Sequence, residues 1–184
     1  MSTIVAVQRG EEIVVGADTL TKYGESKETA EFKIDYSKII EVGDSLFAFV
    51  GHASFGLVLQ SYVKSLLEVP SLGSRLEIFQ MARTMHPVLK KDYFMVASED
   101  DSFEGSDVDC LVVNKSGIYG VYSMQNVHQF SKYYAFGSGS QYAMGAMHAL
   151  YESGASAREV AEAGLSSAVS FDDASDGPIE IRSV

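Results

Sequence analysis

Two regimes of apolar patterning alternate along this chain, and the switches between them mark its elements. From Thr3 to Val7, and again from Ile13 to Val15, the residues are apolar or β-branched without a break, and a polar turn containing Gly10 separates the runs. That pattern predicts a hairpin. Neither run alternates, so both faces of each strand need cover. Lys38–Val42 and Ser45–Gly51, joined at Gly43-Asp44, predict a second strand pair. Between the pairs, Thr19 to Tyr36 is polar and aperiodic, and reads as a loop or an irregular hairpin that returns to the sheet.

The period then changes. Phe55, Val58, Leu59, Tyr62 and Leu66 recur at helical spacing and predict a helix from about Ala53 to Glu68. Pro70 to Gly73 breaks it. Ser74 and Glu77 have capping-box spacing, and open a second helix that uses Ile78, Met81, Ala82 and Met85 until His86-Pro87 disturbs or ends it. Tyr93 to Phe136 is strand-rich, with Val108–Val113 and Ile118–Tyr122 flanking an Asn114–Gly117 turn. A helix carrying Tyr142, Ala146, Met147, Ala149 and Leu150 follows Gly137-Ser138-Gly139. Ser156 and Glu159 cap a last helix with Val160, Gly164, Leu165 and Ala168 on one face, and Pro178–Ile181 is a short terminal strand. Strands, two helices, strands, two helices and a strand make the class α+β.

Composition narrows the function classes. At 184 residues with 46% apolar content, the chain is expected to form one domain with a substantial core. No apolar run approaches the ~20 residues that span a bilayer. A net charge of -11 argues against a nucleic-acid surface, which needs clustered Lys and Arg. The single cysteine, Cys110, lies in an apolar strand and rules out a disulfide framework, and a strand beginning at residue 2 leaves no room for a leader; a cytoplasmic location is expected. His52, His86, His128 and His148 lack ligand spacing, so no metal or other cofactor is expected. Asp100, Ser102, Glu104 and Gly105 imitate the opening of a calcium loop, but Leu111 stands where its bidentate Glu belongs.

Ser2 changes the picture. Aminopeptidase removes an initiator Met that precedes a small residue, which would leave Ser2 with a free α-amine. That amine, with an ordinary pKa of ~7.7–8.0, is partly neutral near pH 7. It can therefore act as base for the hydroxyl on the same residue.

Residues 2–18 resemble the start of the proteasome-type N-terminal nucleophile hydrolases, above all the bacterial peptidase subunit HslV. Members of that family open Thr-Thr-Ile-Val and end the second strand in Gly-Asp or Ala-Asp; here Ser2-Thr3-Ile4-Val5 and Ala17-Asp18 stand at the same separation. Gly137-Ser138-Gly139 and Asp172-Asp173-Ala174-Ser175 are similar to the family's Gly-Ser-Gly and Asp-x-x-Ser segments. The resemblance implies a four-layer αββα sandwich and a peptidase with Ser2 as nucleophile. It also implies that a Lys beneath Ser2, held by Asp18, tunes the amine and hydroxyl; Lys38 fits that place best, with Lys33 in Phe32-Lys33-Ile34 as the alternative because the loop after Asp18 is longer than usual. Ser138, Asp172 and Ser175 would position the amine. Aligning Phe49-Val50-Gly51 puts Ala48 at the oxyanion position, where the family has Gly. The implied partners are a peptide or unfolded-protein substrate, further copies in a homo-oligomeric ring, and an ATP-dependent unfoldase as a candidate. Two other activities stay open: a small-amide acylase on the same fold, and a non-catalytic ring subunit.

Overall fold

The computed structural model describes residues 2–95, 97–98, 105–106, 108–123 and 126–184. The first strands, β1 (Thr3–Arg9) and β2 (Glu12–Ala17), pair antiparallel with Val7 opposite Val14. A short hairpin, β3 (Thr21–Tyr23) with β4 (Ser26–Glu28), and a 3-10 turn at Ala30–Phe32 fill the polar stretch that follows. Next come β5 (Ile39–Val42), β6 (Ser45–Gly51), α1 (Phe55–Ser65) and α2 (Arg75–Asp92). After them run β7 (Ala97–Ser98), β8 (Gly105–Ser106), β9 (Val108–Asn114), β10 (Gly117–Val121), β11 (Val127–Phe130) and β12 (Tyr133–Gly137). The chain closes with α3 (Ser140–Glu152), α4 (Ala157–Phe171) and β13 (Glu180–Ser183).

Two antiparallel sheets result, in the orders β12-β1-β2-β13 and β11-β10-β9-β6-β5. The uninterrupted apolar runs explain their stacking. In β1, Ile4 and Ala6 face the second sheet, where Ile39, Leu46, Ala48, Leu111 and Val113 meet them; Val5 and Val7 face the other way, against Ala143, Met147, Val160 and Leu165 of α3 and α4. On the far side of the second sheet, Ile40, Phe47 and Phe49 pack on Phe55, Leu59, Ile78 and Met81 of α1 and α2. The four layers are therefore helices, sheet, sheet, helices, as the resemblance implied.

Some boundaries differ from the sequence expectation. Helix α2 passes through His86-Pro87 and ends at Asp92, because Leu89 extends the buried face begun by Ile78 and Met81. One lost helical N–H at Pro87 is outweighed by that burial. Helix α1 is shorter than expected at both ends, and the terminal strand starts at Glu180 rather than Pro178. The acidic loop from 99 to 104 lies outside the described residues. Among the described residues no group of His, Cys, Asp and Glu could hold a metal, and no helix is long and apolar enough to cross a membrane. Cys110 is buried, and burial pushes its thiol up, away from thiolate chemistry.

Candidate active site

Strand β1 delivers Ser2 to the end of β12, its neighbour in the first sheet. Register places Thr3 opposite Gly137, and the Ser138 N–H donates to the Ser2 carbonyl at 3.0 Å. Gly137 must be glycine there. Its φ is 100°, and a Cβ on it would lie 1.8 Å from the Ser2 carbonyl oxygen. Gly137→Ala is expected to destabilise the fold by about 3 kcal/mol or more, since backbone blocks the added methyl and the backbone angle disfavours it. Denaturant unfolding checks this; a variant as stable as wild type would contradict the placement.

Asp18 directly follows β2 with no exposed surface, and four donors surround it. The Thr3 N–H reaches its Oδ1 at 2.9 Å, the Leu20 and Asp176 N–H groups reach Oδ2 at 3.0 and 3.3 Å, and Lys38 Nζ lies 2.7 Å from Oδ1. Lys38, just before β5, is itself buried, and burial pushes its ammonium below the ordinary lysine value while the charge and hydrogen bond of Asp18 oppose that shift. The nearby Lys33 charge lowers it further.

Between the two candidate lysines the geometry is unambiguous. Lys33 Nζ donates to the Thr19 carbonyl at 3.2 Å and to Thr21 Oγ1 at 2.7 Å, so it supports the start of β3 instead of pairing with Asp18. Lys38 is the partner of Asp18.

Ser138, Asp172 and Ser175 come together although 34 residues separate the first two. Ser138 Oγ and Ser175 Oγ donate to Asp172 Oδ2 at 2.8 and 2.7 Å. Gly139, not Ser138, takes the N-cap position of α3, and Asp172 is the C-cap of α4.

Ala48 is the exception and is corrected here. It stands mid-strand in β6 opposite Ile39 and Leu111, fully buried between the sheets. The Phe49 N–H donates to the Lys38 carbonyl at 3.3 Å, so alternation along the strand turns the Ala48 N–H toward β9 and away from the cleft. Gly51 has the same parity as Phe49 and lies beyond the end of β5. It takes a φ of 126° and lines a cavity of about 240 Å³ with Ser2, Lys38, Leu20, Tyr36 and His52. Counting strand parity from the Gly43-Asp44 turn would have found it.

Comparison with known proteins gives a consistent outcome. No family model matches the sequence, and no curated protein matches it. Among solved structures, the chain is similar to BPH of Thiobacillus denitrificans, with 42% identity over 99% of this chain and 97% of that one, at a TM-score of 0.94. It is equally similar to that protein in complex with epoxomicin, at 41% identity, the same coverage and a TM-score of 0.94. A eukaryotic HslV from Trypanosoma brucei shares the fold at 19% identity, with a TM-score of 0.65 over 98% of each chain.

Proposed function

We propose, from the premise that the chain belongs to the proteasome-type N-terminal nucleophile hydrolases, that it is a peptidase whose nucleophile is Ser2 after removal of Met1. The observation that carries this reading is the buried Lys38–Asp18 pair in the cleft that Ser2 lines. Ser2 Oγ attacks the peptide carbonyl carbon, and its proton passes to the α-amine directly or through a water. The amine then protonates the departing amine of the substrate, leaving an ester on Ser2 that water hydrolyses. The Lys38 charge lowers the proton affinity of amine and hydroxyl alike. Asp18 aims Lys38, and Ser138, Asp172 and Ser175 fix the backbone and surroundings of Ser2. The Gly51 N–H, rather than that of Ala48, receives the oxyanion, a contact of the kind that contributes about 2.7–4 kcal/mol.

The epoxomicin complex of the Thiobacillus denitrificans relative supports a cleft that admits a peptide-like electrophile. The likeness to HslV supports assembly into a homo-oligomeric ring, for which exposed Phe32 and Ile34, on the segment leading into the cleft, offer apolar surface. An ATP-dependent unfoldase is the partner such a ring would take, and the cytoplasm is its compartment. Against a non-catalytic ring subunit, the buried Lys38–Asp18 pair beside Ser2 favours the enzyme. An acylase for small amides has one feature in its favour, the Ser in place of Thr. Fluorogenic peptides tested beside small acyl-amides distinguish the two: peptide hydrolysis is expected, and turnover of acyl-amides alone would overturn the peptidase reading.

The pH profile supplies a second check. Activity needs Lys38 charged, and its lowered proton affinity means that the charge is lost before an ordinary lysine would lose it. The alkaline limb of turnover is therefore expected below the ordinary lysine value of 10.5, and Lys38→Arg should remove it. A limb at or above that value would contradict the assignment.

A further inference from the structure

Thr3 looks in the sequence like an ordinary member of an apolar strand, yet its side chain has a polar role. It is fully buried, and its Oγ1 lies 2.7 Å from Ser175 Oγ. The direction of this bond is fixed by what lies beyond it. The single Ser175 hydroxyl hydrogen is committed to Asp172 Oδ2, 2.7 Å away, so Thr3 must donate and Ser175 accept. The backbone of Thr3 is held as firmly. Its N–H donates to Asp18 Oδ1 at 2.9 Å, and its carbonyl accepts the Asp18 N–H at 3.0 Å.

These contacts close a loop around Ser2. The Ser2 carbonyl accepts from the Ser138 N–H, Ser138 Oγ donates to Asp172, Ser175 Oγ donates to the same carboxylate oxygen, and Thr3 donates to Ser175. Thr3 is covalently joined to Ser2, which completes the circuit. There is little slack in it. Gly139 leaves no Cβ at the position where one would stand 2.3 Å from Thr3 Oγ1.

We propose that Thr3 is a positioning residue for catalysis, its hydroxyl locking the Ser2–Thr3 peptide to the Ser138–Asp172–Ser175 cluster so that the Ser2 nitrogen and hydroxyl keep a fixed relation to Lys38. The inference rests on the peptidase reading above. A valine of the same shape would keep the strand and its packing but remove the donor. Ser175 would then keep its bond to Asp172 and lose the one to residue 3, so the side-chain tie between the Ser2–Thr3 peptide and the cluster would be gone. Displacements of about 1 Å at a reacting group cost up to about 10²-fold in rate.

The test measures kcat, KM and thermal midpoint on a peptide substrate for wild type, Thr3→Val, Thr3→Ser and Ser2→Ala. Thr3→Val is expected to lower kcat by about 10- to 100-fold with KM within about twofold, and Thr3→Ser to restore most of it. A Thr3→Val protein that melts lower but turns over at the wild-type kcat would overturn the proposal, since only a structural role would then remain. Should Thr3→Val not fold, Thr3→Ser against Thr3→Ala asks the same question, because both lose the methyl and only one keeps the hydroxyl. Ser2→Ala separates the two levels: wild-type turnover there removes the peptidase reading itself, whereas an inactive Ser2→Ala beside a fully active Thr3→Val removes only the role of Thr3.

Discussion

Ser2→Ala is expected to lose nearly all turnover, on the order of 10⁶ in kcat, as a serine hydrolase does when its nucleophile is removed. In the proposed mechanism the loss is this large because the hydroxyl alone forms the acyl intermediate, with the amine, Lys38 and the Gly51 N–H acting through it. Alanine still permits Met removal, and β1 begins at Thr3, so folding and oligomer size should match wild type. Ser2→Thr restores the hydroxyl and should retain measurable activity. The methyl of Ala48 does not stand in its way, because that residue lies between the sheets. Peptide turnover together with size-exclusion mass reads out both expectations.

The second large effect separates the two partners of the buried ion pair. Lys38→Met is expected to lower turnover by about 10²–10⁴. It leaves Asp18 with its three backbone donors, so stability should fall only modestly. Asp18→Ala should be as inactive and much less stable, by about 3–5 kcal/mol, because it leaves an uncompensated ammonium in a buried place. It also strips the acceptor from the Thr3, Leu20 and Asp176 N–H groups at once. Lys33→Met, which touches only Thr19 and Thr21, should cost far less turnover than Lys38→Met. Denaturant unfolding beside turnover checks the asymmetry; equal stability losses at Asp18 and Lys38 would contradict it.

The candidate site was legible through the resemblance and not from its residues singly, since a Ser at position 2, a Lys opening a strand and a Gly-Ser-Gly segment are each commonplace. Their order along the chain, matched to the family's segments, is what singled out Ser2, Asp18, Lys38, Ser138, Asp172 and Ser175. The choice between Lys33 and Lys38 was not legible, since it depends on how the polar stretch folds into β3, β4 and the turn at Ala30–Phe32. Ala48 was assigned for a different reason. The β5–β6 turn falls at Gly43-Asp44 as the sequence suggests, but matching residues by local likeness ignores strand parity, which turns the Ala48 N–H toward β9. Thr3 was passed over because a buried threonine in a β-branched run looks like packing. Pro87 misled in the opposite direction, as the apolar face that continues to Leu89 carries α2 past it.

One measurement bears most directly on the claim that Ser2 is the reacting residue. Epoxomicin, found in complex with the Thiobacillus denitrificans relative, is the reagent for it. Intact-mass analysis of the protein before treatment should show loss of Met1, and treatment should add one epoxomicin per chain, mapped to Ser2 by peptide sequencing. Ser2→Ala should stay unmodified under the same conditions. Retention of Met1, an adduct on another residue, or equal labelling of Ser2→Ala would contradict the account.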